Sequence, residues 1–256
     1  MEMTKIELEQ IQPPKVLELT KPQEMDVLQR TTPARIGIGH VGSRYSTSAM
    51  LRFLADHAAA NDAVFDEVPQ EVIADLGVLE VHTRCNNKHE MLTRPDWGRE
   101  FPKEMQDMIS EHCRHHVDVE IYFGDGLCAP SIGANVPDLY GAIEAELTSH
   151  GISVGTPFFV RYCRVNTART IGPLLDAKVT CVLIGERPGL LTSESMSAYI
   201  AYNARTDMSE SEYTVVSNIS RHGIPPVEAA AHIAELLMDI LDKKCSGVEY
   251  SELVNS

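Results

Sequence analysis

Positive charge is scarce in this chain: 22 Lys and Arg stand against 37 Asp and Glu, giving a formal net charge of -15 at pH 7. Phosphate backbones recruit clustered Lys and Arg, so the imbalance excludes nucleic acid as a partner. No apolar run approaches the roughly 18 residues a membrane helix needs. The start, Met1-Glu-Met-Thr-Lys-Ile-Glu-Leu-Glu9, lacks a basic segment followed by an apolar one, so neither a membrane span nor an export signal is expected. The six cysteines, Cys85, Cys113, Cys128, Cys163, Cys181 and Cys245, include no C-x-x-C pair and read as reduced cytosolic thiols. The chain has no G-x-G-x-x-G, no G-x-x-x-x-G-K-[ST] and no G-x-S-x-G. Those absences argue against dinucleotide binding, a phosphate loop and a hydrolase's nucleophile elbow.

The most informative segment present is Val179-Thr-Cys-Val-Leu-Ile-Gly-Glu-Arg-Pro-Gly-Leu190. Its apolar run reads as a strand buried on both faces, and its break into a glycine- and proline-bearing loop puts Glu186 at the strand's carboxyl end. Open parallel sheets collect their ligands there. The same arrangement occurs at Val117-Asp-Val-Glu-Ile-Tyr-Phe123, followed by Gly124-Asp125-Gly126-Leu127. Two such strands would line one edge of one sheet.

With 256 residues and 43% apolar content the chain can bury a substantial core. Residues 1–20 carry Pro13, Pro14 and alternating charges and read as an extension. Residues 21–115 read as a mostly helical region. In it Ser46 caps a helix bearing Met50, Leu51, Leu54 and Ala58 on one face, Pro69 opens a short second helix, and Pro95 opens a third with Met105, Met108, Ile109 and His112 in a stripe.

Residues 116–256 read as a Rossmann-like α/β domain, a mostly parallel sheet flanked by helices. Its elements are a strand at 117–123, a helix from Pro137 to Gly151, an extended run at Val154–Val165, a short helix at Ile171–Leu175, a strand at 179–184 and another at Ser197–Tyr202. A last helix opens at Pro225 and Pro226 and stops near Gly247.

His112, Cys113, His115 and His116 lie close together, but nothing nearby has metal-site spacing, so no metal is expected. His57 and His222 have no serine or cysteine in a nucleophile motif. Strand alternation places Arg161 and Cys163 opposite Tyr162 and Arg164. Two guanidiniums in an acidic chain could steady a phosphate or a carboxylate, or pair with the surplus acids. These features reach as far as a ligand-binding α/β protein, without a catalytic residue.

Six motifs occur in one order: Arg30-Thr-Thr-Pro-Ala-Arg35, Leu51-Arg-Phe-Leu-Ala-Asp-His57, Leu92-Thr-Arg-Pro-Asp96, Val154-Gly-Thr-Pro-Phe-Phe-Val-Arg-Tyr162, Gly185-Glu-Arg-Pro-Gly-Leu190 and Pro225-Pro-Val-Glu-Ala-Ala-Ala231. Together they resemble the small chain of ethanolamine ammonia-lyase from about Lys21 to Gly247. The resemblance implies an adenosylcobalamin-dependent radical enzyme that converts ethanolamine to acetaldehyde and ammonia. It implies a large barrel-shaped partner that holds the substrate, several copies of each chain, and the cofactor between the two chains.

The resemblance places this chain's cofactor contacts on Val165, Glu186 and Val215. At Val215 relatives carry cysteine, and valine can offer only backbone or apolar contact. No D-x-H-x-x-G is present, in keeping with a cofactor that keeps its own benzimidazole on cobalt. The expected location is the cytoplasm, with packaging in a bacterial microcompartment left open. The alternative is a non-catalytic Rossmann-like module for a small molecule.

Overall fold

A computed structural model describes residues 21–32 and 34–255; the expected extension over residues 1–20 lies outside them. The chain divides into two compact units, one formed by Met1–Asp62 with Gly189–Thr192 and the other by Ala63–Pro188 with Ser193–Ser256. Among the described residues, no helix is long and apolar enough to cross a membrane.

The first unit holds α1 (Pro22–Arg30), a two-stranded ribbon of β1 (His40–Val41) and β2 (Arg44–Tyr45), and most of α2 (Thr47–Phe65). The Ser46 hydroxyl accepts from the Ala49 N–H at 3.3 Å, so the expected cap is in place. Asp56 is buried and takes Arg35 at 2.7 Å and Arg52 at 2.8 Å. The apolar face of α2 is not core: Met50, Leu51, Phe53 and Leu54 are all exposed.

The second unit is a three-layer α/β/α sandwich. Its elements are α3 (Gln70–Leu76), β3 (Leu79–His82), α4 (Lys88–Thr93), α5 (Lys103–His112), β4 (Val119–Gly124), α6 (Pro130–Ser149), β5 (Phe158–Arg161), α7 (Ala168–Leu175), β6 (Val179–Gly185), β7 (Met196–Tyr202), β8 (Thr214–Ile219), α8 (Pro226–Lys243) and α9 (Gly247–Val254). The sheet order is β3-β5-β4-β6-β7-β8. The pairs β3/β5, β5/β4 and β4/β6 are parallel, and β6/β7 and β7/β8 are antiparallel.

Every residue of β4 and β6 is buried, as continuous apolar runs demand when helices cover both faces. On one face Ile121, Cys181 and Leu183 pack against Ile132, Leu139 and Ile143 of α6 and Ile233, Leu237 and Ile240 of α8. On the other, Tyr122, Phe158 and Val182 meet Met105 and Ile109 of α5 and Ile171 and Leu175 of α7.

Several expected boundaries move. The helix expected from Pro137 begins at Pro130 and carries Pro137 inside it. Pro130 fills a first-turn position where the missing N–H is harmless, and the carbonyl left without a donor by Pro137 belongs to Gly133, which has no side chain to crowd the ring. The helix expected from Pro95 begins instead after Pro102, following a 3-10 turn at Trp97–Arg99. Gly98 in that turn lies so close to Arg164 that an added Cβ would sit 2.7 Å from its Cγ. The run Val154–Val165 yields strand only at Phe158–Arg161. Tyr162 has φ 60° and ends the alternation there.

Candidate functional site

The carboxyl ends of β4, β5 and β6 point the same way, so three loops converge: Gly124–Leu127, Tyr162–Val165 and Glu186–Pro188. Glycine makes that convergence possible. A Cβ on Gly126 would lie 2.3 Å from the Gly185 carbonyl oxygen, and one on Gly185 would lie 2.3 Å from the Cys128 oxygen and 2.5 Å from that of Asp125. The Leu127 N–H donates to the Gly185 oxygen at 3.0 Å and closes the contact. Gly185→Ala should therefore lower stability by about 1–3 kcal/mol through overpacking, read as a lower midpoint in urea; an unchanged midpoint would show that the loops can separate freely.

Asp125 is fully buried and ties two loops together. It accepts from the Cys163 N–H at 2.8 Å and from Lys88 Nζ at 2.8 Å, while Lys88 also donates to the Gly126 oxygen at 3.0 Å. Lys88 is itself buried. A buried pair of this kind needs both members, because removing either strands a charge in the interior. Nothing in the spacing of Lys88 within the sequence signals this partnership.

Between the loops lies a cavity of about 400 Å³ lined by Leu127, Arg164, Val165, Ile184, Glu186 and Tyr199 among others. Glu186 is held in place by its own chain. The Ser195 hydroxyl donates to Oε2 at 2.7 Å, the Asn218 N–H to Oε1 at 2.8 Å, and the Ser197 hydroxyl also to Oε1. One recorded donor on Oε2 leaves that oxygen able to accept more. Burial first, and then the nearby Glu186 charge, push the Tyr199 phenol above its ordinary range. Ser197 and Tyr199 share a face of β7, a relation legible in Ser197-Ala-Tyr-Ile-Ala-Tyr202, but the role of Ser195, Ser197 and Asn218 in orienting Glu186 had no sequence signal.

Val165 and Glu186 thus line one cavity. Val215 does not line it. It pairs with Tyr199 across β7 and β8, on the same sheet face, and is 41% exposed beside Tyr213, Thr214 and Val248.

The two arginines separate. Arg161 Nε bonds Glu80 at 2.6 Å, with Glu67 at 3.6 Å, whereas the Arg164 guanidinium, among the described residues, bonds only the Met91 oxygen, at 3.2 Å. The clustered histidines go to separate partners: His112 to the Met108 oxygen, His115 to the Ser110 oxygen and His116 to Asp176.

An open sheet with three parallel strand ends converging on a cleft places the protein among doubly wound α/β proteins, whose ligands lie at that edge. Residues 22–250 match the family described as ethanolamine ammonia-lyase light chain (EutC). The chain is 48% identical to the ethanolamine ammonia-lyase small subunit of Clostridium perfringens over 222 residues, 87% of this chain and 75% of that protein. It is 50% identical to the small subunit of Lachnoclostridium phytofermentans over 222 residues, again 87% and 75% of the two chains. Against the Listeria innocua small subunit the identity is 45% over 222 residues, 87% and 76%. The chain belongs to the ethanolamine ammonia-lyase light chain family and is a lyase subunit.

Proposed function

We propose that this light chain forms one wall of the adenosylcobalamin site of an ethanolamine ammonia-lyase, whose large chain holds ethanolamine and contains the chemistry that yields acetaldehyde and ammonia. The observation that carries this reading is the cavity at the strand ends, where Val165 and Glu186 meet. Its volume of about 400 Å³ suits a drug-sized fragment. A corrinoid with its nucleotide tail and adenosyl group is several times larger, so only an edge of it fits and the rest must be held by another chain.

The donor set agrees with such an edge. Corrinoids carry peripheral amides whose N–H groups need acceptors, and Glu186 lines the cavity with acceptor capacity to spare on Oε2. Leu127, Val165 and Ile184 supply apolar wall beside it. When bound, the cofactor supplies a carbon radical through homolysis of its cobalt–carbon bond. This chain's residues would bind and orient the periphery and exclude water that would quench a radical. No catalytic residue is assigned to this chain.

The exposed face of α2, with Met50, Leu51, Phe53 and Leu54, supports assembly with a partner, since contiguous exposed apolar surface marks interaction sites. We place the hetero-oligomer, with several copies of each chain, in the cytoplasm, free or inside a bacterial microcompartment. Mixing the purified chain with adenosylcobalamin, with and without the large chain, tests the reading. Acetaldehyde should form from ethanolamine only in the complete mixture; cobalamin binding by this chain alone, without turnover in the mixture, would support a stand-alone binding module instead.

A further inference from the structure

Among the described residues most Lys and Arg side chains are ion-paired, yet the two arginines that line the cavity are not. Among the described residues, Arg164, Arg187 and Arg99 have no carboxylate within salt-bridge distance, although the chain carries an excess of 15 acidic residues over basic ones. Arg164 and Arg187 line the cavity. The Nε of Arg164 is buried without a partner, and its backbone is fixed by the bond from its N–H to the Gly98 oxygen at 2.9 Å. Burial, and after it the neighbouring charge of Arg99, lower the Arg164 pKa from its ordinary value. Asp125 is close enough to act on Arg164 but is already taken by Lys88. A half-buried guanidinium beside a second cation, with no carboxylate paired to it, is unfavourable in isolation. An anion joining it would relieve that, and guanidinium forks match oxyanions bidentately.

We infer that Arg164, with Arg187 on the rim, is an oxyanion subsite that holds the phosphodiester of the cofactor's nucleotide tail. The inference rests on the proposed cobalamin site. The peripheral amides of the cofactor are neutral, so the phosphodiester is the group whose charge answers an unpaired arginine. Glu186 and Arg164 then divide the work across one cavity, the carboxylate accepting from amide N–H groups and the guanidinium donating to phosphate oxygens. Arg161, three residues earlier at the end of β5 and paired with Glu80, takes no part.

The test compares adenosylcobalamin with adenosylcobinamide, which lacks the phosphodiester, by spectroscopic titration of the reconstituted two-chain complex. Arg164→Gln should weaken adenosylcobalamin binding about tenfold and leave adenosylcobinamide binding within twofold. Arg164→Lys, which keeps the charge, should recover part of the loss, and the wild-type preference for cobalamin should shrink with added salt. Arg187→Ala, at an exposed position with no structural bond, should give a smaller loss with the same selectivity. Equal weakening of both ligands, or none of either, would overturn the inference. If Glu186→Ala weakens both ligands while the arginine variants change neither, the subsite falls and the cobalamin site stands. If no variant changes binding, both fall.

Discussion

Glu186→Ala should weaken adenosylcobalamin binding by the assembled complex about 10- to 100-fold, in line with about 1.5–3 kcal/mol for a hydrogen bond to a charged acceptor. The structure adds a second effect. Ser195, Ser197 and the Asn218 N–H all donate to this carboxylate, and Ser195 and Ser197 are buried. Its removal leaves three donors to find new acceptors, and stability should fall by about 1–2 kcal/mol. The Ser197 hydroxyl already lies 3.2 Å from that of Ser217 and can turn to it, which limits the damage. Glu186→Gln separates the two effects, because a neutral amide keeps the shape and one acceptor oxygen. Titration of both variants with cobalamin, beside their urea midpoints, should show binding falling further than stability. Unchanged affinity in Glu186→Ala would remove this residue from the site.

The second large effect is a loss of stability between about pH 5 and pH 9 that Glu120→Gln abolishes. Glu120 lies on β4 opposite Thr180 of β6, fully buried, and neither carboxyl oxygen has a hydrogen-bond partner. An added Cβ on Gly155 would lie 1.8 Å from its Oε2, so only glycine leaves room for this side chain. Burial pushes the carboxyl up to about 9, and it is a neutral acid at pH 7. The folded state keeps a proton that the unfolded chain releases near pH 4.5. The stabilisation is therefore complete below pH 4.5 and is lost as pH rises towards 9, by up to about 1.4 kcal/mol per pH unit and on the order of 3–6 kcal/mol in all.

The other groups displaced from their ordinary values act outside this window. Burial alone would raise Asp118, but hydrogen bonds from Lys178 and Ser153 outweigh it and hold it at about 2, so its contribution disappears only in acid. Burial lifts the Cys113 and Cys181 thiols to about 12, and their effect sets in only as pH passes the ordinary thiol value. Urea unfolding at pH 5, 7 and 8.5 should show a steep decline for the native chain and a flat profile for Glu120→Gln. Parallel profiles would mean that Glu120 is ionised in the fold.

The parts of the fold that were legible in the sequence are those whose pattern has one physical meaning. The apolar run of β6 reads as a strand buried on both faces, and α8 announces itself by Pro226, an apolar stripe and Lys243. The edge strands were hidden. Leu79–His82 and Thr214–Ile219 each have one partner strand and partly exposed residues, so their composition resembles a loop. The antiparallel turn into β7 also had no local mark. Residues 186–195 contain no crossover helix, and without one the returning strand runs antiparallel to β6.

At the site, the loop after a buried strand was enough to single out Glu186, and strand alternation raised the choice for Arg161 and Arg164 between ion pairing and ligand contact. It could not decide it. Glu80, which occupies Arg161, comes from a strand about eighty residues earlier that only the sheet order β3-β5 brings alongside. Partners supplied across a sheet are a property of topology, and a single sequence carries topology only where a motif marks it. The same holds for Lys88 and Asp125, joined at 2.8 Å from separate loops.

The measurement that bears most directly on this account is an experimental map of the two-chain assembly with adenosylcobalamin bound. It should show one edge of the corrinoid against Val165 and within hydrogen-bond distance of Glu186, with the remainder enclosed by the large chain. A cofactor enclosed wholly by the large chain, out of reach of Glu186, would contradict it.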